Sequence, residues 1–196
     1  MGTFGAKLSW LALLLPVLTM LLVAGCSTKV PILAEYPSRS PQYVLDGESL
    51  WVMQIQQGEK IKFEGLLALN VEADSADLVV LDSSGFILLE GELAVDQPMD
   101  VVNSLDLVER HGLPDYLSKT MQRVLFKWPS QSSCEKFIWS LCWADKGQLG
   151  MDKIDRFGPF TTWQVLYTLQ KSNNQIKLIK YEIPLVGHTL FLKRIE

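Results

Sequence analysis

The sequence predicts an α+β domain in which a helix packs against a curved antiparallel sheet. Three observations predict it. From Tyr43 onward apolar residues recur with period two in short runs broken by turn residues. One segment, opened by Pro114 and Asp115, switches to helical spacing. Strand periodicity then returns from Thr162 to Ile195. Strands, a helix and strands again is the order of a sheet with its helix on one face.

The first strands are read at 50–55, 61–71, 78–81 and 86–89. Gly58, the segment 72–75 and Ser83-Ser84-Gly85 separate them, so they form consecutive hairpins. In the second strand Phe63, Gly65, Leu67, Leu69 and Val71 share one face, which is expected to be buried. In the helix Leu117, Met121, Val124, Leu125 and Trp128 recur at three and four, Ser118, Lys119, Gln122 and Arg123 occupy the other face, and Pro129 stops it. A shorter stripe at Val101, Leu105 and Val108, ending near Gly112, suggests a second helix. After a mixed stretch with Trp139 and Trp143 come strands at 162–169, 176–183 and 189–195, the last two joined around Pro184 to Gly187.

Several strands are apolar on both faces: Trp51, Met53 and Ile55 alternate with Leu50 and Val52, and Ile87 and Leu89 alternate with Phe86 and Leu88. A two-faced sheet needs cover on both sides. One helix of about four turns shields only part of one face, so the sheet either closes on itself, fills its own core, or leaves a concave apolar surface for a guest. Six tryptophans and six methionines favour the guest, because broad and adaptable side chains suit a flexible apolar chain. The candidate lining is Trp51, Met53, Phe63, Leu67, Leu69, Leu88, Met121 and Leu125.

The first 25 residues read as an export leader. Lys7 precedes an uncharged apolar stretch from Trp10 to Val23, too short for a stable span of roughly 20 residues. The stretch runs into Val23-Ala24-Gly25-Cys26, the pattern of a lipobox, in which the Cys26 thiol takes the lipid. Two or three acyl chains at about 0.8 kcal/mol per buried methylene hold a protein firmly to its membrane. Pro31, Pro37 and Pro41 make 26–42 an extended tether, leaving 43–196 as the folded periplasmic domain. Ser27 after the cysteine, rather than an aspartate, points to the outer membrane. An exported chain with two further cysteines is expected to join them, so Cys134 and Cys142 are a candidate disulfide.

The charge balance, 22 acidic against 18 basic residues, opposes nucleic-acid binding, and no polybasic run supports purely electrostatic membrane attachment. No Gly-x-Ser-x-Gly elbow or glycine-rich phosphate loop occurs. His111 and His188 lack a local motif, and Asp74, Asp77 and Asp82 fall where hairpin turns use carboxylates. No catalytic group, metal or cofactor is expected.

The segment from Leu117 to Pro129, with its spacing Leu-x-x-x-x-Gln-x-x-Leu-x-x-Trp-Pro, resembles a family of uncharacterised bacterial outer-membrane lipoproteins associated with aryl polyene biosynthesis clusters. That family is itself similar to the lipoprotein-localisation proteins LolA and LolB. The resemblance implies a half-barrel of antiparallel strands with one or two covering helices, holding an acyl-type ligand or lipoprotein cargo. The function expected is an anchored lipoprotein that binds an acyl or polyene chain and assists its transfer or insertion at the outer membrane. The alternative is a structural or docking lipoprotein that meets an envelope protein and carries no lipid.

Overall fold

The computed structural model describes Leu45 and residues 47–129, 139–145, 150–170 and 175–195. They belong to one compact unit, Tyr36–Glu196. The strands are β1 (Gly47–Gln57), β2 (Lys60–Val71), β3 (Ser75–Leu81), β4 (Ile87–Ala94) and β5 (Asp100–Ser104), then β6 (Trp139–Asp145), β7 (Gly150–Phe157), β8 (Phe160–Leu169), β9 (Ile176–Ile183) and β10 (His188–Arg194). Between the two sets lie α1 (Asp106–Arg110), α2 (Leu113–Met121) and a π-helical turn, Gln122–Phe126.

All ten strands join one antiparallel sheet in the order β5-β4-β3-β2-β1-β10-β9-β8-β7-β6. It is curved and unclosed, with β5 and β6 as its edges among the described residues. The centre is the β1–β10 pairing, where Met53 faces Leu192 and Ile55 faces Leu190, so the last strand of the chain closes on the first. Each half is a meander of hairpins.

The expected alternation on β2 holds: Gly65, Leu67, Leu69 and Val71 are buried, while Leu66, Ala68 and Asn70 are half-buried between them. Gly65 sits where the chain is tight, since a Cβ there would stand 2.3 Å from the Leu81 carbonyl oxygen and 2.9 Å from the Phe63 ring. Among the described residues the expected cover on both faces does not occur. Trp51, Met53 and Ile55 are buried, but Leu50 and Val52 on the opposite face of β1 are exposed, as is Ile87 on β4. An antiparallel sheet tolerates one wet face, and isolated exposed aliphatics are ordinary on it.

Two further elements differ from expectation. The stripe through Val101 and Leu105 is not one helix: residues 100–104 pair with β4 as an edge strand, and only Asp106–Arg110 turn helical. The mixed stretch conceals β6 and β7, which pair with one another along 139–145 and 151–157. Cys142 is a half-buried free thiol on β6. Cys134 lies outside the described residues, as do the leader, Cys26 and the tether, and no disulfide occurs among the described residues.

Candidate functional site

The helical segment lies across the inner face of the open sheet, and its own sequence places it there. Gly112, at φ 67°, makes the left-handed corner between α1 and α2, and Pro114 sits in the first turn, where a missing N–H costs nothing because first-turn N–H groups have no intrahelical acceptor. Leu117, Met121, Val124 and Leu125 are fully or almost fully buried against the sheet. At about 1.5–3 kcal/mol for each large apolar side chain taken from water, this stripe is a main apolar contribution of the segment.

Hydrogen bonds tie the segment to both halves of the sheet. On the β4–β5 side the Gln122 side-chain amide donates to the carbonyl oxygens of Ala94 and Gln97, the latter at 2.7 Å. Its Oε1 accepts from Asp96 N–H at 3.2 Å. The Met99 N–H donates to Ser118 Oγ at 2.9 Å. Ser118 and Gln122, read from the sequence as outward-facing, are therefore buried clasps on the β4–β5 turn, which a helical wheel cannot foresee.

On the β7–β9 side the clasp closes on the carbonyls at the C-terminal end of the segment, which have no intrahelical partner. A π-helical turn bonds i to i+5, as Lys127 N–H does to the Gln122 carbonyl at 2.9 Å. Five residues after Val124 stands Pro129, which has no N–H to give. The Val124 carbonyl instead accepts the Tyr167 hydroxyl at 2.7 Å and Lys153 Nζ at 3.1 Å. The Leu125 carbonyl accepts Trp128 Nε1 at 2.6 Å. Trp128 stacks on Tyr167 with ring centroids 5.7 Å apart, and Lys153 Nζ lies 3.9 Å from the Trp128 ring centroid. Arg123 donates to the Tyr181 hydroxyl and lies over the Trp163 ring.

Burial governs the ionisation of this corner. Lys153 is wholly buried, and loss of hydration pushes its ammonium well below the ordinary lysine value. Burial likewise raises the phenols of Tyr167 and Tyr181, and the Tyr116 phenol is pushed up to about 12. Asp155 accepts a hydrogen bond from Thr162. Among the described residues no three His, Cys, Asp or Glu side chains gather as a metal site needs.

Of the expected lining, Trp51, Met53, Leu67, Leu69, Met121 and Leu125 are brought together in the buried core beneath the helix. Phe63 is half-buried on the same face, its ring over Gly65. Leu88 alternates with the buried Leu89 and is half-buried, so Leu89 holds the inner position on β4. Lys153, Tyr167, Tyr181 and Trp163 complete the inner surface and were not foreseen. Lys153 was missed because β7 buries Asp152, Lys153 and Asp155 where an apolar alternation is the usual signal, while the other three lie on strands that were read but not assigned to the lining. His188 stands beside Tyr116, with ring centroids 6.0 Å apart, and Asp82 caps its turn by accepting from Ser84 and Phe86 N–H. Compared with models of protein families and with curated proteins, the chain matches none.

Proposed function

We propose that this chain is a lipoprotein anchored through Cys26 at the periplasmic face of the outer membrane, which takes up an acyl or polyene chain beneath α2 and assists its transfer or insertion. The observation carrying this reading is an unclosed sheet whose apolar inner face is covered, among the described helices, chiefly by one segment clasped at its two sides. The likeness to LolA and LolB belongs to this reading and gives it the half-barrel shape.

The described side chains of the inner face are buried in one core beneath the helix, so cargo has to displace the helix rather than fill an open cup. The energies permit the exchange. The four leucine, methionine and valine side chains of the helical stripe amount to roughly 6–12 kcal/mol of burial. A long acyl chain at about 0.8 kcal/mol per methylene offers a gain of the same order.

A cross-link tests the displacement. Met99 N–H already touches the Ser118 hydroxyl, so the pair Met99→Cys and Ser118→Cys should lock the helix on oxidation. A fluorescent fatty acid is expected to be taken up by the wild type and the reduced variant, and refused by the oxidised one. No uptake by the wild type, together with an organic extract free of acyl or polyene species, overturns the reading and leaves a docking lipoprotein without cargo.

A further inference from the structure

One end of the sheet carries exposed apolar tips with charges of both signs behind them, and the other is acidic. The hairpins β1–β2, β9–β10 and β7–β8 turn at the same end, because neighbouring strands run antiparallel in the order β2-β1-β10-β9-β8-β7. Their tips adjoin: Gly58 N–H donates to the Gly187 carbonyl at 2.8 Å, and the 3-10 turn Pro184–Val186 packs against β8. The β3–β4 turn lies at this end too. From these tips project Ile61, Phe86, Phe160 and Leu185, which are 54%, 72%, 58% and 70% exposed.

The tips are held out rather than collapsed. Asp82 Oδ1 accepts from Ser84 N–H at 2.8 Å and Phe86 N–H at 2.9 Å, which fixes the turn that presents Phe86. Pro159 and Pro184 stiffen two other tips. Exposed Lys60 and Lys62 flank Ile61 and exposed Arg156 precedes Phe157, and these three cations outweigh the exposed Glu59 of the β1–β2 tip. Apolar tips with cations just behind them match a bilayer, whose phosphates lie above its acyl boundary. At the opposite end Glu48, Glu72, Asp74, Asp96 and Asp100 gather, a composition that an anionic lipid surface repels. Separate protruding tips also suit a fluid surface, which needs no matching pit for each.

We propose that this hairpin rim is a lipid-contacting surface: Ile61, Phe86, Phe160 and Leu185 enter the headgroup–acyl boundary of a bilayer while Lys60, Lys62 and Arg156 meet lipid phosphates. The expected tether, 26–42, permits it under the anchor reading. β1 starts at the acidic end and is about 36 Å long at roughly 3.3 Å per residue, whereas the 17 residues of the tether span up to about 56 Å when extended. The anchored domain can therefore lower its far end onto the same membrane.

Photo-crosslinking tests the contact in the full-length protein reconstituted into vesicles of phosphatidylethanolamine and phosphatidylglycerol. A benzophenone amino acid replaces Leu185 in one protein and Asp74 in another. Position 185 is expected to give at least about tenfold more lipid adduct than position 74, and the added changes Phe86→Ser and Phe160→Ser should lower it several-fold. Equal adducts at the two positions, or cross-linked copies of the chain in place of lipid adducts at 185, overturn the proposal. Fatty-acid uptake is read separately, so uptake without rim adducts sinks this inference alone, and rim adducts without uptake sink only the cargo reading.

Discussion

The Val124 carbonyl, at the C-terminal end of the helical segment, is answered by Lys153 as well as Tyr167, so a proton-bearing ammonium lies in the core. Its folded-state pKa is lowered by burial, whereas in the unfolded chain it returns to about 10.4. Between those two values the unfolded chain binds more protons, so stability rises with pH across the window and falls as pH drops through the folded value. Thermal melts of the wild type are expected to climb as pH rises from the lowered folded-state value toward about 10, and Lys153→Met should flatten the climb. Above pH 10 the raised phenols of Tyr116 and Tyr167 act in the opposite sense, since the unfolded chain then releases protons first. The Val124 carbonyl keeps Tyr167 as a donor in Lys153→Met. Tyr167→Phe removes the shorter bond and should cost about 1 kcal/mol in chemical denaturation. Neither partnership was legible in the sequence, because which side chain answers a freed carbonyl is decided by strands far along the chain.

At the scale of elements, legibility followed the strength of the local pattern. The segment 176–183 was read with its observed bounds, since Lys177, Lys180 and Glu182 break up an apolar run and Pro184 ends it. β7 was missed because its sequence, Gly-Met-Asp-Lys-Ile-Asp-Arg-Phe, puts polar groups at buried positions and so reverses the expected alternation. The Val101 stripe misled for another reason. Three apolar residues at helical spacing also fit a short edge strand, and the free edge of β4 decided the outcome. On α2 the spacing identified the apolar face correctly, but Ser118 and Gln122 became buried through partners in the β4–β5 turn. Gln122→Leu is expected to destabilise the fold by about 1–3 kcal/mol, as buried carbonyls lose their donor. Hydrogen exchange at residues 94–99 should quicken with it, and unchanged exchange there would deny Gln122 its clasping role. Gly65→Ala forces a Cβ onto the Leu81 carbonyl and should cost about 1–3 kcal/mol by chemical denaturation.

For the whole molecule, the burial of the inner face was legible but its role was read as the lining for a guest. Among the described residues it forms the protein's own core, and Leu50, Val52 and Ile87 on the outer face are exposed. The shape of the sheet was not legible from any single strand, because the β1–β10 pairing joins segments separated by nearly the whole domain. The anchor is tested independently of the fold: Cys26→Ser should abolish acylation, and intact mass spectrometry of the membrane-extracted chain reads it. Failure to close the sheet also has a consequence for crowding. The outer side of β5 offers backbone amides and carbonyls that a neighbouring molecule's strand can extend. Natural safeguards are visible: β5 is only five residues long, begins with Asp100 and gives way at once to α1. A change that lengthens this border strand or removes that acidic residue would invite molecules to stack edge to edge into fibres, a hazard from which a completed barrel is exempt.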